Sequence, residues 1–184
     1  MIRYNPTMSK FYTSSGDQGT TGTLGKERIP KNDPRIKAVG AVDEATESLG
    51  FARALSNDPE LNKIVKEIQL DLYRIMSQLV LIKPDPEKYP DLESSRLDWL
   101  EEIISKYEEA ITLPDGFILP GDSLPSAAFG MARTIVRRAE REVVQLMKTN
   151  LLVSEVALPY LNRLSSLCYV LELLTSEIPP SKTG

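Results

Sequence analysis

Arg133, Arg137, Glu140 and Arg141 recur at i, i+4, i+7 and i+8, which places three guanidiniums and a carboxylate on one face of a helix. Arg138 projects elsewhere. Guanidiniums grouped in this way suit a polyphosphate, because each donates paired hydrogen bonds worth about 1.5–3 kcal/mol apiece. The same run also suits a solvated face laced with i,i+4 ion pairs. A second cluster lies near the N-terminus. Gly16, Gly19, Gly22 and Gly25 recur every third residue among Thr13, Ser14, Ser15, Thr20, Thr21 and Thr23, with Lys26, Arg28 and Lys31 following. Glycine lets backbone N–H groups approach phosphate oxygens, and hydroxyls add donors. The spacing is not that of a Walker A loop, since Lys26 is followed by Glu27. Composition alone fits a flexible tail equally well.

Three smaller features have chemical potential. Asn162 and Arg163 interrupt an apolar stretch, so the amide is either a ligand contact or a satisfied polar group. Phe117 sits in a loop bounded by Gly116, Pro120 and Gly121, where an aromatic serves as a wedge or as a satellite of the core. Asp43 and Glu44 are adjacent acids near a helix start, a position that is usually solvated.

What is absent narrows the chemistry. The 184 residues contain no histidine and one cysteine, Cys168. Imidazole ligation, imidazole general-base catalysis and the Glu-x-x-His pairs of di-iron bundles are excluded. A lone cysteine forms no intrachain disulfide and suits a reducing cytoplasm. The net charge of −4, from 22 basic and 26 acidic residues, points to neither nucleic acid nor an anionic membrane as partner. No apolar run approaches the roughly 20 residues of a membrane span, and the first ten residues lack the apolar core of a signal peptide.

The elements that must position these groups read as helices. Residues 11–32 have no apolar period and read as a long loop. Asp33-Pro34 and Asp58-Pro59 each combine a capping residue with a proline suited to the first helical position. The first helix is expected to carry Val42, Ala45, Leu49 and Ala52 on its inner face. The second carries Leu61, Ile64, Val65, Ile68, Leu72, Ile75, Met76 and Leu79, and stops before Pro84 and Pro86. A third helix spans Ser94 to Ala110. A fourth runs from about Ser123 to Lys148, with Ala132, Ile135, Val136, Ala139, Val143, Leu146 and Met147 inward. A fifth begins near Ser154, with Pro159 in its first turns. No β-alternation appears. The expected fold is all-α: a five-helix up-and-down bundle over residues 33–178 behind an N-terminal loop of residues 1–32, in one domain.

Taken in chain order, these segments resemble the PduO-type ATP:cob(I)alamin adenosyltransferases. The similarity lies in Tyr12-Thr13 with Gly16-Asp17-Gln18-Gly19-Thr20-Thr21, in Lys31-Asn32-Asp33-Pro34-Arg35, and in Gly40-Ala41-Val42-Asp43-Glu44. It continues through Phe117-Ile118-Leu119-Pro120-Gly121, the run Ala132 to Arg141, and Leu161-Asn162-Arg163-Leu164-Ser165. The resemblance implies transfer of the 5′-deoxyadenosyl group of ATP to cob(I)alamin, with Mg²⁺, in a homotrimer whose sites lie between subunits. It implies ATP contacts from Thr13, Ser14, Ser15, Gly16, Thr21, Gly22 and Lys31, completed by Arg137, Arg138, Ala139, Glu140, Arg141 and Asn162. Asp43 and Arg133 resemble a salt-bridged pair across the subunit interface. Phe117 resembles the residue that keeps the lower corrinoid ligand from cobalt. The implied reaction needs a cob(II)alamin reductase as source of Co(I) and an adenosylcobalamin-dependent enzyme as consumer. Three positions depart from the pattern: Ser14-Ser15 where Lys-Thr or Lys-Asn is common, Asp122 in place of a second glycine, and Ser166 in place of aspartate.

Overall fold

The computed structural model describes residues 11–113, 118–149 and 154–176. Five helices carry the fold: α1 (Pro34–Leu55), α2 (Pro59–Val80), α3 (Ser94–Glu108), α4 (Leu124–Met147) and α5 (Ala157–Leu174). The proline-led starts hold as expected. Asp33 caps α1 by accepting from the Arg35 N–H at 2.8 Å, and Asp58 caps α2 by accepting from Glu60 and Leu61. Ser123 caps α4 by accepting from the Ser126 N–H. Helix α5 begins at Ala157, a few residues later than expected, and Pro159 falls in its first turn, where no intrahelical N–H bond is lost.

Helix α1 packs against α2 and α4, α4 against α5, and α5 against α3. The antiparallel run of α1 and α2 is marked by cross-links at one end and at mid-length. Arg35 Nη1 donates to the Leu79 carbonyl and Gln69 Nε2 to the Thr46 carbonyl, joining α1 and α2. Small residues are buried on both α1 and α4, which pack together: Ala38, Ala41, Ala45 and Ala52 on the first, Ala128, Ala132 and Ala139 on the second. Their size lets two backbones approach closely, while α2 and α5 fill the rest of the core with leucine and isoleucine. Met147 departs from the expected inner stripe. It is 40% exposed at the last residue of α4, where the helix has outrun the core.

The N-terminal segment is a correction to the sequence reading. Residues 11–32 contain a two-stranded antiparallel hairpin, β1 (Thr20–Gly22) and β2 (Arg28–Pro30), paired Thr20 to Pro30 and Gly22 to Arg28. Three-residue strands are too short to show alternation, and side chains hold this pair together. Arg28 reaches back to the Ser15 carbonyl (2.6 Å), the Thr20 carbonyl (3.1 Å) and the Thr20 hydroxyl. Thr23 closes the turn on Glu27. Among the described residues no helix is long and apolar enough to cross a membrane.

Candidate functional site

The glycine-rich segment becomes a folded loop braced on the hairpin. Ser14 and Gly19 take positive φ (55° and 79°), and the Gly19 N–H bonds the Gly16 carbonyl, so the chain reverses sharply here. The Lys31 N–H donates to the Gly19 carbonyl at 2.8 Å, which brings the end of the hairpin back to the loop. A Cβ on Gly16 would stand 3.1 Å from Lys31 Nζ, so the ammonium lies directly over glycine backbone. Thr13 and Ser15 share a hydroxyl–hydroxyl bond of 2.8 Å. Loop residues Thr13, Ser14 and Ser15 are exposed, as are Gly22 and Lys31, with Gly16 and Thr21 half-buried. The result is an open cradle of backbone and hydroxyl donors with one cation overhead.

Helix α4 presents the guanidinium row as its spacing predicts. Arg137 and Arg141 are exposed, and Arg141 Nη1 donates to the Arg137 carbonyl at 3.0 Å. Arg137 stands between two concavities. One, of about 440 Å³, runs along α4 past Glu140, Arg141, Gln145 and Lys148. The other, of about 570 Å³, lies between α3, α4 and α5 and is lined by Ile104, Ile118, Arg133, Ser166 and Tyr169 among others. The first is rich in cations and the second is largely apolar, with Arg133 and Arg137 on its wall. Neither contains a residue of the glycine loop.

The remaining predicted residues divide clearly. Asn162 is held in a polar chain: its Nδ2 donates to Glu140 Oε1 at 3.0 Å, and its Oδ1 accepts from Arg163 Nη1 at 2.8 Å. Arg163 is in turn anchored on Glu101 of α3. Arg138 leaves the row, as its spacing requires, and pairs with Glu44 of α1. Ala139 is 0% exposed, with its side chain in the core as its place on the inner stripe of α4 requires. Asp43 is exposed on α1. Within the chain, Arg133 bonds instead to Glu172 of α5, Nε to Oε2 at 3.4 Å, and lies 5.6 Å from the Tyr169 ring centroid. Phe117 lies outside the described residues.

Glu172 and Asp71 are the polar residues that sequence reasoning missed. Burial raises the Glu172 carboxyl pKa, an effect that Arg133 opposes. Asp71, 1% exposed on α2, accepts from the Tyr160 hydroxyl at 2.8 Å and from Arg96 Nε. The signal was present. Glu172 sits four residues after Cys168 and Asp71 three after Ile68, both on core-facing stripes, and a carboxylate there demands a buried partner. Burial pushes the Cys168 thiol up to about 12, which keeps it neutral and unsuited to nucleophilic attack.

The model of the cobalamin adenosyltransferase family matches residues 11–175. The chain belongs to that family. Among relatives of this family, the corrinoid adenosyltransferase of Bacillus subtilis is 38% identical over 160 residues, covering 85% of this chain and 81% of that protein. The corrinoid adenosyltransferase of Mycobacterium leprae is 34% identical over 171 residues, covering 89% and 90%. A phenylalanine-to-alanine variant of the PduO-type ATP:corrinoid adenosyltransferase from Lactobacillus reuteri, complexed with cobalamin and ATP, superposes with a TM-score of 0.87 at 33% identity, covering 95% of this chain and 99% of that one. The five-helix adenosyltransferase fold and ATP-dependent corrinoid adenosylation follow from this membership. The protein is an enzyme.

Proposed function

We propose that the protein, as a single domain, transfers the 5′-deoxyadenosyl group of ATP to cob(I)alamin at a site shared by neighbouring subunits of a homotrimer. The supporting observation is the division of labour around Arg137. A cation-lined concavity suits triphosphate, a largely apolar one suits the face of a corrin ring, and Arg137 borders both. The glycine loop is open to solvent and shares neither concavity in its own chain, so a second copy is the natural source of the missing wall. Asp43 of one copy then meets Arg133 of the next.

Co(I) carries the nucleophilic electron pair, which explains why a chain without histidine and with an inert thiol suffices. The cobalt–C5′ bond forms as the C5′–O bond breaks, and that electron pair leaves with triphosphate. Arg137 stabilises the departing charge from α4, and Lys31 stabilises it from the loop. Glu140 and Arg141 border the nucleotide, Asn162 bonds Glu140 beside them with Arg163 fixing its amide, and Arg138, on another face and paired with Glu44, is assigned to the nucleotide by the family resemblance alone. Alignment of the two substrates contributes the proximity term.

Among the described residues no cluster of three carboxylate, thiol or imidazole groups could cage a metal. Mg²⁺ fits this donor set, since it commonly takes one or two protein oxygens and leaves the rest to phosphates and water. Glu140 and Asn162, which bond each other, would help hold it beside the nucleotide, and it would neutralise triphosphate charge. A reducing cytoplasm suits both the Co(I) substrate and the free Cys168.

Mixing the protein with ATP, Mg²⁺ and chemically reduced cobalamin should convert the corrin spectrum to that of an alkylcobalamin and release triphosphate. Ligand binding without triphosphate would make the protein a carrier, and absence of ATP binding would make it a structural module. Lys31→Ala should raise the KM for ATP about tenfold, the loss of one charge-assisted contact, and leave the KM for cobalamin in place. An unchanged ATP KM would remove Lys31 from the site.

A further inference from the structure

Gly130 and Glu172 are two costly choices made at one place. Glycine in a helix interior costs about 1 kcal/mol relative to alanine, and Gly130 lies well inside α4. A carboxylate removed from water costs more unless it is paired, and Glu172 is 2% exposed on α5. The two fit each other. A Cβ on residue 130 would stand 2.6 Å from Glu172 Oε1 and 2.9 Å from its Cδ, so only glycine leaves room for the carboxylate. That carboxylate turns to Arg133, one helical turn from Gly130, and accepts from its Nε. Tyr169 lies beneath the guanidinium. Among the described residues no other carboxylate of the chain bridges Arg133, so its two terminal nitrogens hold no acid of their own subunit.

We propose that Glu172 is a positioning residue for adenosyl transfer, gripping Arg133 by Nε so that the terminal nitrogens of its guanidinium are presented at the wall of the large cavity. Gly130 is the space that makes this grip possible. The inference rests on the reading that Arg133 belongs to the active site. Arg133 is half exposed, and an arginine on a rotatable stem would otherwise sample many orientations. Held from below by Glu172 and Tyr169, it offers a fixed pair of donors to an acid of the adjoining subunit or to substrate.

A double-mutant cycle on the full-length enzyme tests this, with kcat/KM measured per folded molecule in the cobalamin assay. Glu172→Gln preserves size and removes the charge; it should lower kcat/KM about tenfold, the worth of one charged hydrogen bond. In an Arg133→Ala background the same change should alter kcat/KM less than about twofold, because the residue through which it acts is gone. Gly130→Ala, which displaces the carboxylate from the opposite side, should show the same dependence on Arg133 and serves if Glu172→Gln folds poorly. If Glu172→Gln lowers only the melting temperature, or if its kinetic effect persists undiminished without Arg133, Glu172 is a packing element and the proposal fails. If Arg133→Ala alone keeps wild-type kinetics, the active-site reading of Arg133 fails with it.

Discussion

Arg137→Ala is expected to lower turnover about a hundredfold or more, while the helical fold and melting temperature stay close to wild type. The first half follows from placement. Arg137 borders both concavities, and in the proposed reaction its charge would face the oxygen that becomes anionic as the C5′–O bond breaks. Removing one preorganised donor from a developing anion typically costs a factor of 10² to 10³. The second half follows from exposure. Arg137 lies on the outer face of α4, opposite the Ala132–Val136–Ala139 seam, and substitutions on such faces usually change stability by less than about 0.5 kcal/mol. Arg137→Lys should recover part of the rate, since it restores charge without the paired donors. Single-turnover kinetics with preformed Co(I)alamin read the effect directly. Near-normal rates for Arg137→Ala would reject the triphosphate assignment.

The largest stability loss is expected from Asp71→Ala. Its carboxylate ties three helices together: Tyr160 of α5 donates at 2.8 Å, Arg96 of α3 donates from Nε and approaches from Nη2 at 2.7 Å, and Arg74 of α2 completes the cluster. Alanine would leave a buried hydroxyl without its acceptor and a largely buried guanidinium with only the half-exposed Glu67, 3.8 Å away, as counter-charge. Breaking such a pair costs about 3–5 kcal/mol, well above the net worth of the intact pair, because a buried charge is left uncompensated. Arg96 is stacked 4.1 Å from the Trp99 ring centroid, so it has no easy escape to solvent. Urea unfolding should show the lower midpoint with little change in slope. A loss below about 1 kcal/mol would mean the cluster is solvated in a way its burial does not suggest.

Helix positions and faces were legible in the sequence because their signals are local. Asp33-Pro34 and Asp58-Pro59 mark helix starts within two residues, and the inner stripes of α1 and α2 repeat at three- and four-residue spacing. The same arithmetic put Arg133, Arg137 and Arg141 on one face and sent Arg138 to another. It also placed Ala139 on the inner face, where its side chain is buried. The hairpin was not legible, since three-residue strands show no period and Arg28 reaches Thr20 and Ser15 through side-chain geometry.

The sequence by itself determined the bundle, its caps and the guanidinium row, and its missing histidine excluded imidazole chemistry. Only the tertiary structure decided which buried acid answers which cation. Glu172 finds Arg133 across 39 positions and Asp71 finds Tyr160 across 89. Periodicity says which face of a helix turns inward, but the partner across that face depends on which helices become neighbours, and that is settled by packing the whole chain at once.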